Sequence, residues 1–189
     1  MIYKNIIKRG IDILGAFFFI FISIVPFIII AILIKRDSKG PILYKQSRIG
    51  KDIKEFKILK FRTMVHNADK IGGYSTKLDD SRITKIGKIL RATSLDEIPQ
   101  FINVLIGDMS LIGPRPDVPK QRENYNDREW LARHQVLPGI TGLAQSRNRH
   151  GTTNSARKKY DIFYNKKVSF LLDMKIILWT LKVLKKGSY

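Results

Sequence analysis

The chain contains no cysteine, and only three of its 189 residues are histidine. The missing cysteines exclude a disulfide framework, a cysteine nucleophile and any thiolate metal site. Acidic residues are scarce as well: 16 Asp and Glu stand against 35 Lys and Arg, which gives a formal net charge of +19. A positive surplus of this size indicates a polyanionic partner, namely nucleic acid, anionic lipid or a phosphorylated substrate.

Charge is also absent from one long stretch near the N-terminus. Residues 13–34 are 22 consecutive uncharged residues, rich in Ile and Phe. As a helix they would reach ~33 Å, which is enough to cross a hydrocarbon core of ~30 Å. The run is long for the apolar part of a signal peptide, and charged residues follow it where a cleavage site would stand. The sequence therefore predicts a membrane segment.

The flanks of this run and the proline inside it favour a bent segment. Basic residues stand on both sides, so that both ends resemble cytoplasmic ends. Pro26 removes a backbone donor and clashes with the preceding turn, and Ser23 could bond a carbonyl that the kink frees. A bent helix that enters and leaves by one face satisfies these observations. A straight transmembrane anchor with a tolerated proline is the alternative.

A basic ribbon follows the apolar run. Residues 35–70 carry eleven Lys or Arg and four Asp or Glu. Apolar positions on either side of Gly50-Lys51 predict a β-hairpin. Lys60 and Arg62, late in this ribbon, could lie near anionic headgroups or hold a phosphate. A merely solvated charged face is the alternative for each lysine.

The rest of the chain alternates helical patterns with polar loops. Residues 82–92 predict a short basic amphipathic helix, on the membrane surface or on the core, and residues 160–184 show helical spacing. Residues 67–80, 138–142 and 147–159 predict loops. The glycines of the middle loop would let the backbone approach a ligand closely.

Two adjacent carboxylates, Asp96 and Glu97, are the strongest candidates for chemistry. Ser94 with Glu97 has the spacing of a capping box, whereas Pro99 fits equally well with Asp96 as N-cap of a helix that ends near Gly107. In both cases the helix dipole and the basic surroundings favour ionised carboxylates. Such a carboxylate can be a nucleophile or a metal ligand in phosphate chemistry, and plain capping is the alternative.

Arg115 stands between two prolines, Pro114 and Pro116. The prolines restrict the backbone to extended forms, which reduces the entropy lost when the guanidinium binds a phosphate or a carboxylate. A proline-rich turn with an incidental arginine is the alternative. The sequence thus offers a second candidate for anion binding.

Taken in order, these motifs resemble those of the monotopic phosphoglycosyl transferases, a family of bacterial sugar transferases. The likeness runs nearly end to end, and the length is close to that of the family's minimal catalytic form. The segments that carry it are 8–12 (KRGID), 60–64 (KFRTM), 94–100 (SLDEIPQ), 107–110 (GDMS), 113–116 (GPRP), 138–145 (PGITGLAQ) and 172–176 (LDMKI).

The resemblance implies an activity: a sugar 1-phosphate passes from a UDP-sugar to polyprenyl phosphate, with release of UMP, as the first step of bacterial glycan or glycoconjugate assembly. By the family pattern Asp96 is the covalent nucleophile and a ligand of the required Mg²⁺, and Glu97 is its partner in proton handling. The positions that the pattern assigns to substrate binding are Lys60, Arg62, Arg91, Pro114, Arg115, Pro116, Gln145, Arg149 and Asp161.

The expected fold is α+β, with a re-entrant membrane helix, a small β-hairpin and amphipathic surface helices around one polar active site. Residues 1–36 would form the membrane segment, packed as one unit with a catalytic domain of residues 37–189 on the cytoplasmic face of the bacterial inner membrane. The expected partners are the UDP-sugar, polyprenyl phosphate, membrane lipids and, as a further candidate, a second copy of the chain. Nucleic acid is not expected.

Two positions depart from the family's pattern. Ser commonly stands directly before the kinking Pro, whereas Ser23 and Pro26 are separated here, which bears on how the bend is stabilised. After Gln145 the family often has a small residue pair before an arginine, whereas residues 146–149 are SRNR. The second departure bears on the selectivity for sugar or nucleotide.

A function of another class also fits the charge. A membrane-anchored polybasic adaptor would bind nucleic acid or anionic lipid without catalysis, and its affinity would depend steeply on salt. It would not need Asp96, Glu97 or the loop at 113–116. The two hypotheses therefore differ in whether these residues matter.

Overall fold

The computed structural model describes residues 3–72, 80–147 and 153–185. In these ranges helices alternate with two small sheets, which fits the expected α+β class. The helices are α1 (Lys8–Ile22), α2 (Ile24–Asp37), α3 (Ala68–Ile71), α4 (Lys85–Thr93), α5 (Gln100–Ile106), α6 (Asp127–Arg133), α7 (Leu143–Arg147), α8 (Asn154–Lys167) and α9 (Phe170–Lys185). The strands are β1 (Leu43–Ile49), β2 (Glu55–Phe61), β3 (Ser110–Ile112) and β4 (Gly139–Thr141).

The uncharged run forms two helices, α1 and α2, which meet at Ser23 with a bend of 60°. A proline ring clashes with the carbonyl four residues before it, and for Pro26 that carbonyl belongs to Ile22, the last residue of α1. The break therefore precedes the proline by three residues. The backbone of Ser23 bonds on both sides of the break, but its side chain makes no hydrogen bond to a described residue, contrary to expectation.

Neither half of the bent pair is long and apolar enough to cross a bilayer alone, and no other described helix is. Together α1 and α2 have the length and composition of a broken span or a re-entrant loop. Several of their large apolar side chains are exposed, among them Leu14, Phe17 and Phe21. Other faces of the same helices are buried in the protein.

The hairpin prediction is confirmed. β1 and β2 pair antiparallel, with Leu43 opposite Phe61 and Ile49 opposite Glu55. Because directly opposite residues share a face of a sheet, Tyr44 and Lys60 project from the same side. That side of the hairpin borders the cavity described below.

The loop predicted at residues 138–142 is wrong for its central part. Gly139–Thr141 is strand β4, which pairs parallel with β3. A Cβ atom on Gly139 would stand 2.0 Å from the Gly113 nitrogen, and one on Gly142 would stand 2.0 Å from the Gly113 oxygen. The glycines therefore allow two backbone segments to approach each other. Their expected approach to a ligand stays a prediction.

Three apolar clusters form the core, and the bent helices contribute to two of them. Ala16 of α1 packs with Ile58, Val104 and Met109. Ile30 and Ile34 of α2 pack with Phe61 and Leu90, and Ile112, Leu143, Tyr164 and Ile176 form the third cluster. Leu90 places one face of α4 on the core, which was one of the two locations left open for that helix.

Three further boundaries differ from the sequence prediction. The closing segment is two helices, α8 and α9, separated at residues 168–169. α8 begins inside the stretch predicted as a loop, because Thr153 caps its first turn by accepting a hydrogen bond from Ala156 N at 3.2 Å. One turn of helix, α3, falls within the loop predicted at 67–80, and residues 73–79 of that loop lie outside the described residues.

Candidate active site

Asp96 and Glu97 lie on a single 3-10 turn, Leu95–Glu97, between α4 and α5. Ser94 has a left-handed backbone (φ 60°) that reverses the chain after α4, and α5 starts after Pro99 without a side-chain cap. Both capping predictions are therefore wrong, although α5 does end at Gly107 as expected. Since neither carboxylate caps the helix, both can face the space beside it.

That space is an open cavity of about 1600 Å³. It is bordered by the hairpin, the carboxylate turn, the arginine loop at 113–116, Gln145 of α7, and Thr180 and Val183 of α9. Seven of the residues that the sequence singled out line it: Lys60, Arg62, Arg91, Asp96, Glu97, Arg115 and Gln145. The structure thus brings together candidates that are up to 85 positions apart in the chain.

Glu97 is held by two cations. Lys60 Nζ donates to Glu97 Oε1 at 2.7 Å, and both terminal nitrogens of Arg115 lie 3.3 Å from the same oxygen. Of these two cations, only Lys60 also pairs with Asp96: its Nζ is 3.6 Å from Asp96 Oδ2. Lys60 therefore connects the two carboxylates, and Arg115 binds one of them.

The two carboxyl groups differ in their acidity. Burial acts to raise the pKa of Glu97, but the charges of Arg115 and Lys60 and their hydrogen bonds outweigh it and lower the pKa to about 2. For Asp96, burial prevails: together with the neighbouring Glu97 charge it raises the pKa, against the opposing influence of Lys60, Arg115 and Arg91. The prediction of ionised carboxylates is confirmed for Glu97, whereas for Asp96 the predicted direction is wrong.

Two other arginines of the cavity wall have structural partners. Arg91 donates its Nε to Thr63 Oγ1 at 2.8 Å, which directs it along the wall near Asp96. Arg62 is buried and donates to the carbonyls of Ser38, at 2.7 Å, and Lys39. Arg62 therefore closes the C-terminal end of α2, a role that the sequence did not indicate.

Three arginine side chains hold the loop that carries Arg115. The Arg115 carbonyl accepts from Arg133 Nη2 at 2.8 Å and from Arg157 Nη2 at 3.2 Å. The next carbonyl, that of Pro116, accepts from Arg48 Nη1 at 3.1 Å. These contacts and the flanking prolines fix the backbone, as the sequence predicted. Pro114 and Pro116 themselves are buried and do not line the cavity.

Asp161 is not brought to the cavity. It is 1% exposed and accepts from Arg133 Nε at 3.0 Å, inside a buried network with Asp117 and Arg157. Asp161 holds Arg133, and Arg133 in turn donates to the carbonyl of Arg115, so that Asp161 affects Arg115 only indirectly. Asp161 does not line the cavity. Sequence reasoning missed Arg133, Asp117 and Arg157, because the network joins residues that share no sequence pattern.

Gln145 lines the cavity, and both polar atoms of its side-chain amide are buried without a hydrogen-bond partner among the described residues. Buried side-chain amides without a hydrogen-bond partner are rare in folded proteins. The Gln145 amide is therefore a candidate to bond a ligand in the cavity. Arg149 lies outside the described residues.

A magnesium ion fits this donor set in one specific way. No group of three or more His, Asp or Glu side chains within the described ranges could hold a metal ion. Mg²⁺ is commonly bound by one or two carboxylates together with substrate phosphates. Asp96 can supply such a carboxylate, since Glu97 is already held by two cations.

Comparison with known proteins agrees with this geometry. Residues 3–187 match the family described as bacterial sugar transferase. The chain is 44% identical over 162 residues to a UDP-glucose:undecaprenyl-phosphate glucose-1-phosphate transferase of Klebsiella pneumoniae, covering 81% of this chain and 34% of that protein. It is 40% identical over 189 residues to a UDP-N-acetylgalactosamine-undecaprenyl-phosphate N-acetylgalactosaminephosphotransferase of Aeromonas hydrophila, covering 96% and 44%.

A third relative has a similar length. The exopolysaccharide production protein PSS of Rhizobium leguminosarum is 41% identical over 187 residues, which are 93% of each chain. The chain thus spans less than half of the first two relatives and nearly all of the third. Because the family match covers almost every residue, and the carboxylates and cations of its motifs meet in one cavity, this chain belongs to the bacterial sugar transferase family.

Proposed function

We propose that this chain transfers a sugar 1-phosphate from a UDP-sugar to polyprenyl phosphate and releases UMP. The observation that carries the proposal is the carboxylate pair Asp96 and Glu97, which faces a large open cavity beside Lys60, Arg91 and Arg115. Transfer of a phosphoryl group needs an oxygen nucleophile among cations, and this wall supplies both. The names of the Klebsiella and Aeromonas relatives support the same reaction.

In the proposed first half-reaction, an Asp96 carboxylate oxygen attacks the β-phosphorus of the UDP-sugar. The bond between that phosphorus and the bridging oxygen breaks, UMP leaves with the electron pair, and the sugar phosphate remains on Asp96 as an acyl phosphate. In the second, a phosphate oxygen of polyprenyl phosphate attacks the same phosphorus and frees Asp96. The bond from the sugar C1 to oxygen is never broken, so that the product keeps the donor's anomeric configuration.

Glu97 is suited to handle a proton only when substrate is present. Lys60 and Arg115 hold its pKa at about 2, where a carboxylate is a weak base. Substrate phosphates compete for the same two cations, and their binding would raise the pKa of Glu97 towards its ordinary range. It can then accept a proton from the acceptor phosphate. Mg²⁺, held by Asp96 and the substrate phosphates, would neutralise charge on the leaving phosphate.

The bent helix supports a membrane location on one leaflet. The 15 and 14 residues of α1 and α2 form arms of ~22 Å each. At the observed bend of 60°, a symmetric V of such arms reaches roughly 11 Å below its ends, less than half of a ~30 Å hydrocarbon core. With basic residues at both ends, this geometry fits a re-entrant segment on the cytoplasmic face of the bacterial inner membrane.

A small apolar cavity lies where the acceptor's lipid would have to pass. It measures about 160 Å³ and is lined by the bend on one side and, on the other, by Ile98, Pro99 and Ile102, which directly follow the carboxylates. A hydrocarbon chain arriving from the membrane beside the bend could therefore reach the active site without crossing a charged surface. The polybasic adaptor is not pursued, because nothing in the structure or among the relatives favours it.

The experiment that tests the proposal measures UMP release from several UDP-sugars by the purified protein in detergent. Without acceptor, UMP should appear in a burst limited by the amount of enzyme, and polyprenyl phosphate should restore turnover. Asp96→Asn should abolish the burst, whereas Lys57→Gln, which removes an exposed lysine of the hairpin, should leave it intact. Mass analysis should locate a sugar-phosphate adduct on the Asp96 peptide.

Two results would count against the proposal at different levels. Absence of UMP release with every donor would refute the transferase activity. Full turnover without any adduct, with converging initial-rate plots, would refute the covalent route and leave the overall reaction standing.

A further inference from the structure

Arg48 of β1, a basic side chain of the cavity wall, has no anionic partner among the described residues. Its Nη1 and Nη2 donate to two neutral oxygens, Pro116 O at 3.1 Å and Gln46 Oε1 at 2.7 Å, and its Nε is buried without a partner. A half-buried guanidinium with an unused donor and no counter-charge is unusual, because burial of an unpaired charge is unfavourable.

The neighbouring charges increase this imbalance. Arg115 lies close enough that, after burial, it is the main influence lowering the pKa of Arg48, to about 10. Asp117 is the acidic residue that favours the charged form of Arg48, but its carboxylate is taken by Arg133 and Arg157. Lys60 and Arg115, in contrast, share Glu97. Arg48 is therefore a positive charge on this wall that has no carboxylate of its own and lies beside a second positive charge.

Strand geometry places Arg48 on the same side of the hairpin as the catalytic cations. Tyr44, Gln46 and Arg48 alternate along β1, and all three line the cavity. Tyr44 lies directly opposite Lys60 in the hairpin. Arg48 is four residues from Tyr44 along β1, which is a distance of ~13 Å between their backbones. Arg115 is near both ends of this stretch: its guanidinium contacts Glu97 beside Lys60, and the carbonyl of the next residue, Pro116, accepts from Arg48. The three cations therefore belong to one wall of the cavity.

We infer that Arg48 is a binding residue for a phosphoryl group, on the same cavity wall as Lys60 and Arg115. The phosphoryl group is that of the nucleotide donor or that of the lipid acceptor, and both would supply the missing counter-charge to the guanidinium. The inference rests on the proposed function for the identity of its ligands. A separate binding experiment keeps its failure distinct from that of the reaction.

The test is calorimetric titration of the full-length protein in detergent with UDP and with uridine, without turnover. If Arg48 binds the donor, Arg48→Gln should weaken UDP binding by about tenfold or more, as expected for a lost charge-assisted hydrogen bond, and leave uridine binding unchanged. Arg48→Lys, which retains the charge, should keep most of the affinity. Lys57→Gln removes one exposed charge of the same hairpin and should bind UDP like the wild type.

A second titration, with a short-chain polyprenyl phosphate and the matching polyprenol, identifies the source of the phosphate. A loss confined to the polyprenyl phosphate assigns Arg48 to the acceptor, and a loss confined to UDP assigns it to the donor. Unchanged binding of both ligands by Arg48→Gln would overturn the inference. Equal losses in Arg48→Lys and Arg48→Gln that extend to uridine would also overturn it, because Arg48 would then only brace the loop at Pro116.

Discussion

Asp96 and Glu97 are neighbours in the chain, but the protein shifts the pKa values of their carboxyl groups in opposite directions. Arg115 and Lys60 stabilise the ionised form of Glu97 more than burial destabilises it. Ionisation of Glu97 therefore stabilises the folded state. Burial destabilises the ionised form of Asp96 more than Lys60 stabilises it. Ionisation of Asp96 therefore destabilises the folded state. A nucleophile that is held at an energetic disadvantage is reactive, and the arrangement supports the roles proposed for the two residues.

Asp96→Asn should therefore stabilise the protein at neutral pH. A carboxyl group whose pKa is raised in the folded state binds its proton more tightly there than in the unfolded chain, so that folding is less favourable above both pKa values. Asn removes this penalty, and each 1 kcal/mol gained should raise Tm by ~2–4 °C in a chain of this size. Thermal unfolding in detergent measures it. Glu97→Gln should lower Tm instead, and a lowered Tm for Asp96→Asn would contradict the burial argument.

The raised pKa of Asp96 also predicts the acid side of the pH profile. The attacking form is the carboxylate, so that kcat/KM should fall as pH drops through a pKa above the ordinary range of aspartate. Lys60→Met removes a charge that lowers this pKa and should move the acidic limb to higher pH. Glu97→Gln removes a charge that raises it and should move the limb to lower pH. Limbs that stay in place in both variants would exclude Asp96 as the titrating group.

The position of Asp161 makes a prediction that separates structure from substrate binding. Its removal leaves Arg133 buried with one fewer counter-charge, and breaking a buried ion pair in this way costs ~3–5 kcal/mol. Asp161→Ala should therefore reduce the folded yield and Tm, while the fraction that folds keeps a near-normal KM for the UDP-sugar. A stable Asp161→Ala protein with a strongly raised KM would instead restore the direct substrate role implied by the family pattern.

Among single residues, the sequence could predict only those whose function is indicated by their neighbours in the chain. The carboxylate pair and the proline-flanked arginine are recognisable because their neighbours constrain them. The partners Arg133 and Arg157 are 18 and 42 positions from Arg115, and no periodicity links them. Arg48 could have been found from the alternation of Tyr44, Gln46 and Arg48, which predicts one face of a strand.

At the scale of elements, the bend between α1 and α2 is the feature that chemistry explains best. The steric conflict between Pro26 and the Ile22 carbonyl, together with the missing backbone donor, accounts for a break at Ser23. The Ser23 side chain contributes no hydrogen bond to a described residue. The separation of Ser23 from Pro26 is therefore compatible with the bend.

Pro26→Leu should straighten the pair and convert part of the protein to a spanning form. Single cysteines at Lys4 and Lys39, in an otherwise cysteine-free chain, report which side of the membrane each end occupies. With Pro26 present, neither should react with an impermeant thiol reagent added to intact cells. In the Pro26→Leu variant, one of the two should react in part of the molecules. Ser23→Ala should behave as the wild type. External labelling at one site with Pro26 intact would refute the re-entrant topology.

The two sheets show why some elements were predictable and others were not. β1 and β2 have seven residues each, enough for an apolar pattern to emerge on either side of a turn. β3 and β4 have three residues each, which is too short for any period, and their parallel pairing joins segments 29 positions apart. The local feature in the sequence was the group of glycines. We interpreted it as room for a ligand, and it also allows the close packing of the β3 and β4 backbones.

For the molecule as a whole, the apolar N-terminal segment, which we propose lies in the membrane, also belongs to the core. Lys8 and Tyr3 both bind Asp173 of α9, at 2.9 and 2.6 Å, which joins the N-terminal helix to the C-terminal one. Asp12 accepts from Ser110 Oγ at 3.0 Å and so connects α1 to β3. These contacts join the N-terminal segment to the rest of the chain, and the division into a membrane segment and a catalytic domain stays a prediction.

Removal of residues 1–36 should therefore leave a chain without a fixed core, and not a soluble catalytic domain. The deletion takes away Ala16, Ile30 and Ile34, which are at most 5% exposed and cover Ile58, Met109 and Phe61. Near-UV circular dichroism should be lost and proteolysis accelerated, while much helical signal remains.

A matched variant separates packing from membrane contact. Phe17→Ser with Phe21→Ser changes two side chains that are 65% and 67% exposed and belong to no described core cluster. This double variant should keep its near-UV spectrum in detergent but wash off membranes more readily, because only the lipid-facing surface is altered. If the truncated chain kept the near-UV spectrum and cooperative unfolding of the full protein, the bent helix would be an anchor alone. The catalytic wall would then be held by residues 37–189 without it.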